Sequence, residues 1–284
     1  MFKVVQISDT HISETKPHFA DNWPLLAAWV RQQSPDLVIH TGDVTVDGAG
    51  QERELEHCAG LLDGLGVPWL AVPGNHDVGD AKNPHQPVNA ERIGRWNRHY
   101  GADRWIKDIP GWRLVGINAL LIGSEDEEER RQDRWLDEQL AGARGRRPAL
   151  FLHRPLFIDE PHEGDTGYWS LKPGPRKRYM GLVDAHRIQI VASGHLHKSH
   201  RRDHGGTAYV WGPSGGFVCG PKEQPAMPGR AELGAVVYEF AADAVSIRIE
   251  HLPHLVPYVI DDVIDEVYPP REWPQSAATR ATVR

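Results

Sequence analysis

The chain has 284 residues, and its 32 Lys and Arg against 39 Asp and Glu leave a formal charge of −7, so its overall field draws no nucleic acid and an anionic substrate would need local positive charge. Hydrophobic content of 40% and charged content of 25% are those of a globular protein rather than a disordered or fibrous one, and no apolar run approaches the ~20 residues that span a bilayer. The N-terminus, "MFKVVQISDTHIS", lacks the parts of an export signal, and Cys58 and Cys219 have no paired-motif spacing, which together predict a cytoplasmic, disulfide-free protein with no membrane partner.

In chain order, "FKVVQI" predicts a strand at 2–7, and the helical spacing of "NWPLLAAWVRQQ" predicts a helix over 22–33 with Pro24 in its first turn. A strand at 36–40, a helix over roughly 50–63 and a strand at 68–72 follow. Next come a helix around 88–99 and a strand at 112–118. Residues 125–142 begin acidic, which complements a helix dipole, and set Trp135, Leu136 and Leu140 on one side. Further strands are expected at 148–152 and 188–193, then strands without helices at 207–211, 234–240 and 244–250. Such alternation predicts an α/β fold with helices covering the outer faces of central sheets.

Residues 159–180 are rich in Pro, Gly and aromatics without periodicity, which predicts a long loop. Within it Tyr168 and Trp169 suit stacking on a base, and Arg176, Lys177 and Arg178 suit pairing with phosphate, against the plainer alternative of a solvated surface loop. Arg201 and Arg202 read as surface residues. The economical division is one domain over 1–250 with a C-terminal extension over 251–284, whose tail from 269 onward is polar and expected to be mobile. The apolar stretch 251–268 has two placements open to it: across a two-fold axis in a homodimer, or over its own domain.

The polar residues where strands end carry the chemistry. Asp9 and His11 follow the first strand in "SDTH", and Asp43 follows the second in "TGD". Asn75, His76 and Asp77 follow the third in "GNHD", His153 follows "PALFL", and His195 and His197 lie in "GHLH" after "IQIVAS". Singly, most of these are turn or capping chemistry. Five separate strands each ending in a metal-capable side chain is another matter, because ligands in open α/β folds gather beyond the carboxyl ends of the strands.

This ordered set resembles the calcineurin-like metallophosphoesterase superfamily over about residues 2–200. "HRP" at 153–155 and the "Q-x-x-WL" phrase from Gln132 to Leu136 look most like the class III cyclic-nucleotide phosphodiesterase and glycerophosphodiesterase group. The resemblance implies a four-layer α-β-β-α sandwich and two divalent metal ions. Asp9, His11, Asp43 and His197 would hold one ion, and Asp43, Asn75, His153 and His195 the other, with Asp43 bridging. It further implies a hydroxide between the ions as nucleophile, and His76 and Asp77 as the catalytic pair, Asp77 orienting His76 toward substrate. Glycines at 42, 74 and 194 would let the backbone come close to the cluster.

An all-N/O ligand set suits Mn or Fe, with Zn or Co also compatible. Val46 stands where purple acid phosphatases carry a tyrosine that holds ferric iron, which argues against such a site. Arg154 replaces the second His of a His-His-Pro motif and is expected to face solvent. The expected substrate is a small phosphodiester, a cyclic nucleotide such as cAMP or a glycerophosphodiester. A phosphomonoesterase or other phosphohydrolase on the same site is the alternative. A non-catalytic scaffold is disfavoured because none of the seven expected ligands is missing. A nucleic acid polymer is not expected as partner, since the chain has no continuous basic tract.

Overall fold

The computed structural model describes residues 1–268. In chain order the first half contains β1 (Phe2–Ile7), α1 (Asn22–Gln33), β2 (Leu37–His40), α2 (Glu52–Asp63), β3 (Trp69–Ala71), α3 (Asn75–Val78), α4 (Ala90–Tyr100), β4 (Trp105–Ile109) and β5 (Trp112–Gly116). The second half contains α5 (Glu127–Ala141), β6 (Arg147–Phe151), α6 (Pro173–His186), β7 (Ile190–Ser193), β8 (His200–His204), β9 (Thr207–Trp211), β10 (Gly234–Phe240), β11 (Val245–His251) and α7 (Ile264–Val267).

Two sheets form, in the orders β11-β10-β1-β2-β3 and β4-β5-β6-β7-β9-β8. β1, β2 and β3 run parallel in the first sheet, and β5, β6, β7 and β9 run parallel in the second. Side chains alternate across a strand, so adjacent residues serve different layers. Val4, Ile39, Val236 and Tyr238 of the first sheet share a buried cluster with Leu114, Phe151, Ile190 and Val210 of the second. Their neighbours Val5, Val38, Val115 and Val191 instead join helix residues such as Leu26, Leu55, Leu136 and Val183. This gives the expected α-β-β-α sandwich, with central strands apolar on both faces because both faces are covered.

The short helices α3 and α7 were not expected, and β4, β8 and α6 depart more substantially. β4 and β8 are edge strands, each paired antiparallel to one neighbour only. In β4 the three middle residues are exposed, and β8 is the polar run "HRRDH" carrying Arg201 and Arg202, so neither has the apolar signal of an inner strand. The third is α6, which starts inside the stretch expected to be loop. Pro173, Gly174 and Pro175 fill its first turn, where a missing N–H breaks no intrahelical bond, and Tyr179, Met180 and Val183 then supply a buried stripe. The loop therefore ends before Pro173.

Residues 252–268 pack on the chain's own domain. Asn22 donates through Nδ2 to the carbonyl of Val256 and accepts from its N–H, at 2.9 and 2.7 Å. Asp261 accepts from the N–H groups of Gly220 and Lys222 at 2.7 and 2.9 Å. Ile260 and Val267 enter a small apolar cluster with Phe19, Val46 and Phe217. The tail from 269 onward, expected to be polar and mobile, lies outside the described residues. No helix among the described residues is long and apolar enough to cross a membrane.

Candidate metal centre

Parallel strands deliver their carboxyl ends to one edge, and the seven expected ligands meet there. The two sheets are held in register by a buried polar bridge: Gln6 of β1 donates to Thr41 Oγ1 and to the carbonyl of Ser193 just beyond the core, and accepts from the Tyr238 hydroxyl, at 2.9, 3.0 and 2.7 Å. The loops that follow are strained. Of the nine non-glycine residues with positive φ among the described residues, five are Asp9, His11, Asp43, His195 and His197. Left-handed backbone at Asp and His is uncommon and costs energy, and it concentrates here because the turn must aim consecutive side chains at one point. The glycines make room as expected. A Cβ on Gly74 would sit 2.1 Å from Asp43 Oδ1, and one on Gly194 would sit 2.4 Å from Asp9 Oδ2.

The candidate ligand atoms fall into three overlapping groups, of which one, His11, Asp43 and His76, links the other two. Asp9, His11 and His197 form one set, and Asp43, His153 and His195 another; in each, the donor atoms lie within 4.8 Å of one another. Asp43 Oδ2 lies 3.2 Å from His153 Nε2 and 3.8 Å from His11 Nε2, between the two sets. Asn75 Oδ1 lies 3.2 Å from His153 Nε2. Asp9 is held by the N–H of His195 at 3.0 and 3.1 Å, and its carboxylate reaches His197 Nε2 at 3.5 Å.

Each histidine of these sets is tied by its other nitrogen. His153 Nδ1 donates to the Thr41 carbonyl at 2.8 Å, His195 Nε2 to the Tyr168 carbonyl at 3.1 Å and His197 Nδ1 to the Phe217 carbonyl at 2.7 Å. His11 Nδ1 meets the hydroxyl of Tyr268 at 2.7 Å. The carbonyl bonds settle the tautomers, because a carbonyl oxygen can only accept. With each ring neutral, His153 Nε2 and His195 Nδ1 would therefore face each other at 3.1 Å as lone pairs, with Asp43 Oδ2 and Asn75 Oδ1 converging on the same point. That convergence needs positive charge, supplied by a proton on His153 or by a bound cation, and the donor set fits a divalent metal.

The electrostatics agree. Burial holds His11 and His195 well below the usual imidazole range and His197 at about 4, so their lone pairs are available at neutral pH. Burial would lower His153 too, but the Asp43 carboxylate beside it carries it up to about 9. Burial opposes ionisation of Asp43, yet His153, His76 and His11 around it hold it well below the carboxylate range. Burial, with Asp43 adding to it, pushes Asp9 up to about 7.

Several expectations need correction. Asp77 does not orient His76. Its carboxylate accepts from the N–H groups of Gly74, Val44 and Thr45 and from Thr45 Oγ1, at 2.9, 3.2, 3.0 and 2.8 Å, and so ties the Asp43 loop to the Asn75 turn. His76 is oriented instead by the Val46 carbonyl, 3.1 Å from its Nδ1, and by the ring of Tyr268 at 4.5 Å. Arg154 does not face solvent: it pairs with Asp80, its side chain is 12% exposed, and its guanidinium lies 5.6 Å from the centre of the Tyr168 ring. Two partners inside the protein outcompete water there. Of the residues expected to pair with phosphate, Arg176 is buried and bound to the carbonyls of Glu163, Gly164 and Leu171, while Arg178 bonds Asp133 and Asp137. Of these three, Lys177 alone is exposed.

Tyr168 lies directly on the cluster: its hydroxyl accepts from Asn75 Nδ2 at 3.0 Å, and its ring is 4.5 Å from that of His195. Tyr268 was not foreseen, since nothing in "IDEVYPP" marks a residue that meets His11 across 257 positions. His40 was also missed. It accepts from the N–H of Gly42 at 3.2 Å and bonds Thr10 Oγ1 at 3.0 Å, linking the Asp9 and Asp43 loops. The "Q-x-x-WL" phrase has a local cause. Buried Gln132 of α5 exchanges hydrogen bonds with the backbone of Asn118, at 2.8 and 3.0 Å, and pins the segment after β5.

Fold and site together define a phosphoesterase family. The family model for calcineurin-like phosphoesterases matches residues 2–199, and the chain belongs to that family. Over 209 residues it is 31% identical to the probable glycerophosphodiester phosphodiesterase GpdQ of Arcobacter nitrofigilis, covering 69% of this chain and 71% of that protein. Over 199 residues it is 28% identical to a probable cyclic nucleotide phosphodiesterase of Synechococcus sp., with the same two coverages of 69% and 71%. Over 155 residues it is 31% identical to serine/threonine-protein phosphatase CPPED1 of Homo sapiens, a match that takes in 52% of this chain and 47%, about half, of that protein. Among solved structures, a dimetal phosphatase from Danio rerio superposes with a TM-score of 0.61 at 14% identity, covering 87% of this chain and 95% of that one. A purple acid phosphatase from yellow lupin gives a TM-score of 0.65 at 15% identity, covering 90% of this chain and 52% of that one. At these identities the structural likeness is one of fold.

Proposed function

We propose that the chain is a dinuclear metal-dependent hydrolase of small phosphodiesters. The observation that carries the reading is the placement of Asp43 Oδ2 between His153 and His11, one histidine from each of two converging groups of donors. Asp9, His11, Asp43 and His197 would hold one ion, and Asp43, Asn75, His153 and His195 the other. Mn or Fe suits this N/O set best. When bound, two divalent ions supply the Lewis acidity that activates water and offsets charge on the phosphoryl group in an in-line displacement.

The protein's own groups do the rest. His76 donates through Nδ1 to the Val46 carbonyl, so its Nε2 carries the exchangeable function toward substrate: protonated, it gives a proton to the leaving alkoxide; as a cation it balances phosphoryl charge. A cleft lined by Lys16, Asp47, Asn75, His76, Asp80 and Tyr268 opens beside it, so the positive charge that an anionic substrate needs there would come mainly from the bound ions. Val46 is buried and contributes only its carbonyl, consistent with the absence of a tyrosinate at that position.

The diester reading draws on the relatives named as phosphodiesterases, which the chain covers over 71% of their length. The second reading, a phosphomonoesterase, is favoured by the CPPED1 relative named as a protein phosphatase. Metal-stripped protein given back Mn²⁺ separates them. Turnover of bis(p-nitrophenyl) phosphate above p-nitrophenyl phosphate, lost in Asn75→Ala, is the expected result. A monoester preference supports the second reading, and metal-bound protein that turns over neither contradicts both for these simple esters.

A further inference from the structure

We infer that Tyr268, delivered by the C-terminal segment, is a positioning residue for the metal centre: its phenol oxygen is the partner that fixes the orientation of His11. The inference rests on the metal-site reading above. Three of the four histidines in the two donor sets are held by backbone carbonyls of Thr41, Tyr168 and Phe217. His11 is held instead by a side chain, the Tyr268 hydroxyl at 2.7 Å. Its Nε2 faces His197 Nε2 at 3.2 Å and Asp43 Oδ2 at 3.8 Å, so this is the nitrogen turned toward the cluster. An imidazole that ligates through Nε2 carries its hydrogen on Nδ1, and an oxygen accepting that hydrogen both fixes the ring and raises the basicity of the ligating nitrogen.

Tyr268 is firmly placed for the task. Val267 beside it is fully buried in the cluster of Phe19, Val46 and Phe217, and its carbonyl accepts from Lys16 Nζ. Glu266 pairs with His18 at 3.2 Å, and Val259 bridges Val218 in parallel register, one residue past the Phe217 whose carbonyl holds His197. The ring of Tyr268 also packs 4.5 Å from His76. A segment remote in sequence thus supplies an outer partner to one metal position only, which makes the affinities of the two positions separable.

The experiment is a calorimetric titration of the metal-stripped full chain with Co²⁺, followed in parallel by visible absorption, comparing wild type, Tyr268→Phe and Tyr258→Phe. Phe keeps the ring and removes the hydroxyl. The expected result is that one equivalent weakens about 10- to 100-fold in Tyr268→Phe. The other equivalent is retained, and the metal-free protein melts as wild type does. Tyr258→Phe removes a hydroxyl from the same segment away from His11 and is expected to bind both equivalents normally. Unchanged binding in Tyr268→Phe, equal weakening of both equivalents, or the same loss in Tyr258→Phe overturns the inference alone. A wild-type chain that takes up no metal overturns the metal-site reading and the inference with it.

Discussion

His153 Nε2 lies 3.1 Å from His195 Nδ1, and each ring has its other nitrogen committed to a carbonyl oxygen. Two lone pairs at that distance need a positive charge between them. In the metal-free protein the charge is a proton on His153, carried up to about 9 against the effect of burial by the Asp43 carboxylate, and burial raises Asp9 to about 7 so that it too holds a proton more readily than a free carboxylate. Metal uptake must displace these protons. Calorimetry in buffers of different ionisation enthalpy is expected to show more than one proton released per chain at pH 7. Release should fall as pH rises through 9, and metal affinity should climb over the same range. A buffer-independent enthalpy at pH 7 would contradict this account.

Gly74 and Asp43 leave each other no slack. A Cβ at 74 would lie 2.1 Å from Asp43 Oδ1 and 2.2 Å from its backbone N, so Gly74→Ala must move the carboxylate between the two donor sets. The expected cost is about 1–3 kcal/mol in a urea melt, together with loss of metal-dependent hydrolysis. Gly66 is the comparison: its φ is +69 and nothing lies within 4 Å, so Gly66→Ala is expected to cost roughly 1–2 kcal/mol in backbone strain and leave hydrolysis intact.

His40 predicts an acid sensitivity with a definite sign. Burial lowers it from 6.5 to about 3, so the folded chain keeps it neutral while the unfolded chain protonates it below about 6.5. Between these values the unfolded state binds more protons, and stability falls as pH falls, by up to about 1.4 kcal/mol per pH unit from this group. Denaturant melts from pH 6.5 to 4 should show at least that slope, since His11, His195 and His197 act with the same sign, and His40→Gln should reduce it. An unchanged slope in the variant would place the acid sensitivity elsewhere.

Arg176 holds the loop that carries Tyr168. Its guanidinium reaches the carbonyls of Glu163, Gly164 and Leu171 from a buried position. Arg176→Met leaves those acceptors unpaired, an expected cost of roughly 2–4 kcal/mol in thermal or urea unfolding. The Tyr168 carbonyl, which orients His195, should loosen with it, so metal affinity is expected to drop as well. A variant that melts as wild type does would show the loop to be held by other contacts.

The sequence by itself determined what is local. Apolar runs set the inner strands, and short polar motifs directly after them set the ligand residues, because a turn at a strand's end is only a few bonds long and keeps its side chains near that edge. That is why Asp9, His11, Asp43, Asn75, His153, His195 and His197 were all legible as candidates. Edge strands β4 and β8 were not, since an edge has solvent on one side and needs no apolar alternation.

Tertiary structure alone decided which partners these side chains meet. Asp77 sits next to His76 in the chain, yet it turns to the backbone of Val44 and Thr45, where N–H groups wait unpaired. Arg154 finds Asp80 and Tyr168 rather than water, and His11 finds a tyrosine 257 positions away. Such contacts depend on how the sheets and the C-terminal segment pack, a sum of many weak burial terms that no motif of a few residues encodes.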